Sequence, residues 1–111
     1  MRVLVAFDEA YRAYGEFLAA AIRRARPHLE AKAVLREALE EELHHSDPYL
    51  VICSPPVPEN PVSSREAWVE LSVDPRQPSR IRLGEQRLEK LNPSLEEVLW
   101  VVDEAKNLGD E

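Results

Sequence analysis

The chain has 111 residues, 44% hydrophobic and 32% charged, the make-up of one ordinary globular domain with no room for a second core. Its formal net charge of -7 disfavours nucleic acid and anionic membrane surfaces as partners, because phosphate contacts need clustered Lys and Arg. The only cysteine, Cys53, excludes an intrachain disulfide, and Asp8 interrupts the apolar N-terminal run before it could act as a secretory signal or span a bilayer, so a cytoplasmic protein is expected.

Residues 1–7, MRVLVAF, form a nearly continuous apolar run rich in Val, the pattern of a strand covered on both faces. Tyr14, Leu18, Ala21, Ile22 and Ala25 then recur at helical spacing until Pro27 stops the pattern. Gly15 interrupts this helix at a cost of about 1 kcal/mol relative to alanine if its position is exposed. Residues 28–35 alternate, which suits a strand at a sheet edge. Residues 36–45 follow as a short helix with Leu35, Leu39 and Leu43 on one side and glutamates on the other. YLVIC, residues 49–53, returns to a fully buried strand. Strand, helix, strand, helix, strand implies right-handed crossovers and a parallel sheet with the first strand in its middle.

The second half follows other rules. Residues 54–66 contain four prolines and no helical period, so they read as a long loop where a further crossover helix would otherwise stand. From Ala67 to Val73 the side chains alternate: Ala67, Val69, Leu71 and Val73 face one way, and Trp68, Glu70 and Ser72 the other. Residues 80–91 predict a hairpin in which a Gly84-Glu85 turn pairs Leu83 with Gln86 and Ile81 with Leu88. The six residues between Val73 and Arg80 are too few for a parallel crossover, so this part is expected to be an antiparallel meander. The last helix opens with a capping box, Ser94 and Glu97, buries Leu95, Val98, Leu99 and Val102, and ends near Gly109. The expected fold is one α/β domain over residues 1–111. Its βαβαβ first half has parallel strands, and an antiparallel hairpin and a C-terminal helix follow.

Asp8 and Glu9 close the first strand, Pro48 to Ile52 lead into the third, and Pro58 closes the loop after it. In these positions the first 58 residues resemble the front half of a response-regulator receiver domain, with a receiver- or flavodoxin-like sheet. KLNPSLEEV, residues 90–98, is similar to the segment leading into the last receiver helix. The resemblance implies a phosphorylation pocket in which Asp8 and Glu9 hold Mg²⁺, Ser54 stands where the phosphoacceptor aspartate belongs, Ser72 is the strand-end hydroxyl and Lys90 the conserved lysine, one residue early. A receiver works because an aspartyl carboxylate accepts the phosphoryl group and Mg²⁺ neutralises the charge. Serine without a base is a poor nucleophile, so phosphotransfer is expected to be lost. No catalytic residue and no obligatory cofactor follow, and the implied role is that of a pseudo-receiver in signalling.

Each residue also has a plainer role. Asp8 and Glu9 can cap the first helix and complement its dipole, since two carboxylates without a third ligand hold Mg²⁺ poorly. Their charge disfavours a phosphate loop at this turn, as does the lack of a Gly-rich stretch among three glycines. Ser54 before Pro55 suits a strand end that satisfies backbone groups. A Ser54 triad with His28 or His44 and Asp8 or Asp47 lacks the glycines of a nucleophile elbow. Cys53 reads as a small buried hydrophobe. His44 and His45 point about 100° apart on a helix and cannot chelate one metal; they suit a helix C-terminus. The PxxP at 55–58 reads as a stiff loop before an SH3 ligand. Trp100 lies about 100° or more from the buried stripe of the last helix, and Trp68 on the polar side of its strand, so both are candidates for an interface.

The expectation is therefore a non-catalytic, receiver-like regulatory or protein-interaction domain that forms a homodimer or binds a protein partner. The alternative is a small enzyme or ligand-binding protein that uses the sheet edge around Asp8, Glu9 and Ser54.

Overall fold

The computed structural model describes residues 2–56 and 65–109. Strands β1 (Arg2–Phe7), β2 (Glu30–Leu35), β3 (Leu50–Cys53), β4 (Ala67–Glu70), β5 (Pro78–Leu83) and β6 (Gln86–Leu91) form one mixed sheet in the order β2-β1-β3-β4-β5-β6. Three α-helices, α1 (Arg12–Ala25), α2 (Leu39–His45) and α3 (Leu95–Gly109), pack on it, with 3₁₀ turns leading into α1 and α2. Val57, Pro58 and the rest of the proline-rich loop to residue 64 lie outside the described residues.

β1 is parallel to β2 on one side and to β3 on the other, and its residues from Val3 to Phe7 are all buried, which is why the run reads as continuously apolar. α1 crosses from β1 to β2 and α2 crosses back over β1 to β3. Crossovers of one hand in opposite directions must leave the two helices on opposite faces. The core divides accordingly. Val3, Val5, Phe7, Leu50, Ile52, Val69 and Ile81 pack with Leu18 and Ile22 of α1 and Val98, Val101 and Val102 of α3. Leu4, Ala6, Val51, Cys53 and Trp68 pack with Leu39 and Leu43 of α2. Each large aliphatic or aromatic side chain sealed this way contributes about 1.5–3 kcal/mol of transfer free energy.

β4 adds to β3 in parallel, so residues 54–66 make a parallel connection. β5 then turns back against β4, and β6 against β5. The hairpin register is the one expected: Leu83 faces Gln86 and Ile81 faces Leu88. Gly84 has φ +61°, the left-handed conformation a two-residue hairpin turn requires of its first residue. Because β5 alone runs backwards, β1, β2, β3, β4 and β6 all end at the same, carboxyl, edge of the sheet.

Three expectations are corrected. Trp68 is not on a solvated face: it is only 6% exposed and belongs to the core on the α2 side. The alternation of 67–73 is real, but both faces of β4 are covered. The buried stripe of α3 is Val98, Val101, Val102 and Ala105, while Leu95 is exposed. The same 3-4 spacing is shifted by one turn toward the small residues that lie close to the sheet. Gly15 is buried against Phe7: a Cβ placed on it would lie 3.3 Å from the Phe7 ring. Its backbone lets the ring approach the helix.

Candidate functional site

Ser54 and Asp8 follow the carboxyl ends of β3 and β1, which are adjacent strands. The Ser54 N–H donates to Ala6 O at 3.0 Å, one residue pair beyond Ala6–Cys53 in the ladder. This is the position where the chain order reverses about β1, the place where open α/β sheets gather ligands. Asp8 is half-buried and Glu9 exposed. Asp8 occupies the cap position of the turn before α1, but its side chain makes no capping hydrogen bond. Its carbonyl instead accepts from the Tyr11 N–H at 2.9 Å. Glu9 sits 3.8 Å from Arg12. The capping expected of the pair is thus reduced to the proximity of their charge to the helix start.

The residue that organises this edge is Arg36. It follows the end of β2 and reaches across, donating from Nη1 to the Ser54 carbonyl and from Nη2 to the Pro56 carbonyl. With Asp8, Glu9, Leu35 and Glu37 it lines a cleft of about 280 Å³. Sequence reasoning missed Arg36; the signal was its place immediately after a strand that the topology brings beside β1. Three carboxylates and one guanidinium give the cleft a negative balance. Among the described residues no three His, Cys, Asp or Glu side chains converge to hold a metal.

Ser54 itself is sealed. It is 2% exposed, and its Oγ has no hydrogen-bond partner. Among the described residues no base stands beside that hydroxyl to activate it. Cys53 beside it is fully buried, and burial pushes its thiol up to about 12, beyond what nearby Arg36 offsets. The histidines are no help to either. His28 precedes β2, and His44 and His45 close α2 ahead of β3, so all three lie toward the amino edge, opposite Ser54. Asp47 is at that edge too, 2.8 Å from Arg65. The Ser-His-Asp grouping is not assembled.

The other two residues assigned to the pocket have different work. Ser72 follows the end of β4, near β3, where the Leu71 N–H donates to Cys53 O at 2.8 Å. Its N–H donates to Ser79 Oγ at 2.9 Å, its hydroxyl donates to Asp74 O at 3.1 Å, and the Asp74 N–H returns a bond to the same hydroxyl at 3.2 Å. These bonds fold the β4–β5 turn. Lys90 is on β6, three strands from β3 or about 14 Å across the sheet. It pairs with Glu97 at 2.7 Å, and Glu97 completes the expected capping box with Ser94 at 3.1 and 3.2 Å. Lys90 therefore does not reach Ser54.

Trp100 is where the sequence put it, outside the buried stripe and 45% exposed. It borders a largely apolar groove of about 370 Å³ with Leu88, Lys90 and Glu97, between α3 and the sheet edge. No helix among the described residues is long and apolar enough to cross a membrane. Comparison with family models, with curated proteins and with solved structures gives no match.

Proposed function

We propose that this domain is a non-catalytic, receiver-like regulatory module that acts in the cytoplasm by binding protein, a second copy of itself included. The observation that carries this reading is the contrast between the two ends of the carboxyl edge. At β3, where a receiver has its reactive aspartate, the side chain is a serine with a buried, unpartnered hydroxyl, and Arg36 is committed to backbone carbonyls. At β6, a tryptophan and a leucine border an open apolar groove. Exposed tryptophan beside such a groove favours protein contact over chemistry. The order β2-β1-β3-β4, all parallel, supports the receiver-like part of the reading, while the reversed β5 marks where the chain departs from it.

The test uses the intact protein. Incubation with acetyl phosphate and Mg²⁺ is expected to leave its mass unchanged; a stable phosphate on Ser54 would overturn the reading. In sedimentation equilibrium the apparent mass is expected to rise with concentration. Ser54→Ala should not alter that rise, and Trp100→Ala should weaken it. A monomer mass at every concentration removes self-association from the proposal.

A further inference from the structure

We infer that β6 pairs with β6 of a second copy of this chain, antiparallel, about a two-fold axis that passes between the two Leu88 residues. The inference rests on the self-association proposed above and specifies its geometry. β6 is the last strand of the sheet, and five of its six residues are exposed.

The backbone sets the first condition. The Gly84 N–H donates to Glu66 O at 2.7 Å, so Gly84, Arg82 and Arg80 direct their main-chain groups to β4, and Leu83, Ile81 and Ser79 direct theirs to β6. Their opposite numbers Gln86, Leu88 and Lys90 are therefore satisfied within the chain. The main-chain groups of Arg87, Glu89 and Leu91 point outward. Pro78, which has no N–H, falls opposite Leu91, where the ladder asks for none.

Charge selects the register. In a symmetric antiparallel pair, residues directly opposite share a face, so the axis must pass through a residue position. Centred on Leu88, Arg87 of each copy lies opposite Glu89 of the other, an oppositely charged pair formed twice, and both residues carry the free backbone groups that would close the ladder. Centring on Arg87, Glu89 or Lys90 sets that charge against itself. Charged edge strands ordinarily repel a second strand; the Arg87-Leu88-Glu89 triplet accepts one, with both charge pairs inside β6 itself.

Apolar surface completes the argument. Leu88 projects on the same face as the groove that Trp100 borders, so the axis brings the two grooves side by side. A ladder this short falls below the roughly 1,000 Å² that a stable interface buries, and the leucine and tryptophan pairs supply the additional apolar area.

Substitutions to cysteine test the geometry, the native Cys53 being buried. Opposed residues at a non-hydrogen-bonded position have Cα atoms about 4.5 Å apart, within reach of a disulfide. Leu88→Cys is expected to give a covalent dimer on mild oxidation. Lys90→Cys is expected to remain uncrosslinked, since the two copies of position 90 are offset by four residues, about 14 Å. A second variant guards against loss of folding in the first: Arg87→Glu should raise the dimer Kd tenfold or more, and adding Glu89→Arg to it should restore dimerisation. A dimer that crosslinks through position 90, or that is indifferent to Arg87→Glu, would overturn this register and leave self-association standing. A monomer at all concentrations would overturn both.

Discussion

Arg26 and Asp103, 77 residues apart, meet in a two-point ion pair, with Nε 2.9 Å from Oδ1 and Nη2 2.7 Å from Oδ2. The pair ties the end of α1 to the middle of α3 on the same face of the sheet. Hydrogen bonding from Arg26 holds the Asp103 carboxyl below the usual range. A carboxyl whose folded pKa is depressed adds stability that is complete above its unfolded value, near 4, and is lost as pH falls through the folded value. The pair is partly exposed, so solvent screening keeps its contribution small. Asp103→Asn should lower the urea midpoint at pH 7, and the gap from the parent protein should close as pH falls below about 4. Glu30, Glu42 and Glu97 are lowered by their own cationic partners, so both proteins weaken in acid and only the difference between them reports Asp103. A gap that stays constant down to pH 2.5 would rule this out.

Gly15 tests a conflict between local and tertiary preference. Alanine is better than glycine in a helix by about 1 kcal/mol. Here the added Cβ would meet the Phe7 Cδ1 at 3.3 Å and Cβ at 3.4 Å. Phe7 is almost fully buried and packed against Tyr14, ring centroids 5.3 Å apart, so it has little room to retreat. Gly15→Ala is expected to lower the thermal midpoint, with a net cost of about 1 kcal/mol after the helical gain. A rise would mean that the ring moves freely.

Cys53 should behave as a core residue. With its thiol at about 12, the reactive thiolate at pH 8 is rare, and the side chain is inaccessible besides. Reaction with a thiol reagent should be about a thousandfold or more slower in the native protein than in urea, and should track global unfolding. Fast labelling of the folded protein would show that the β3 end is open.

Much of the fold was legible because its signals are local. The apolar runs of β1 and β3, the period of α1, the Gly84 turn and the Ser94–Glu97 box each depend on residues close in sequence. Trp68 was misplaced because alternation with Glu70 and Ser72 reports two faces without saying what covers the second. Glu70, next but one to it, is buried with Arg80 at 2.8 Å from both carboxylate oxygens, so a charged residue on that face did not mean solvent. The candidate site was legible only in part. Asp8 and Ser54 lie at the same sheet edge because both follow adjacent central strands, but Lys90 is on β6, with β4 and β5 between it and β3, a separation that a motif match cannot register. Arg36 carries no motif at all; its importance arises from where the crossover delivers it.

The sheet is unevenly clothed. β1 lies between α1 and α2, whereas β6 is flanked by one strand and one helix and is mostly exposed. Amide exchange should follow that gradient, slowest in β1 and β3 and fastest at the outer rim. The β5–β6 hairpin is also the most local strand pairing in the chain and can re-form on its own timescale of microseconds, while the pairing of β1 with β3 must close nearly fifty residues of intervening chain. The strand proposed to be shared between molecules is thus the one that can fray and heal while the remainder stays folded, so a dimer joined through it would exchange subunits without global unfolding.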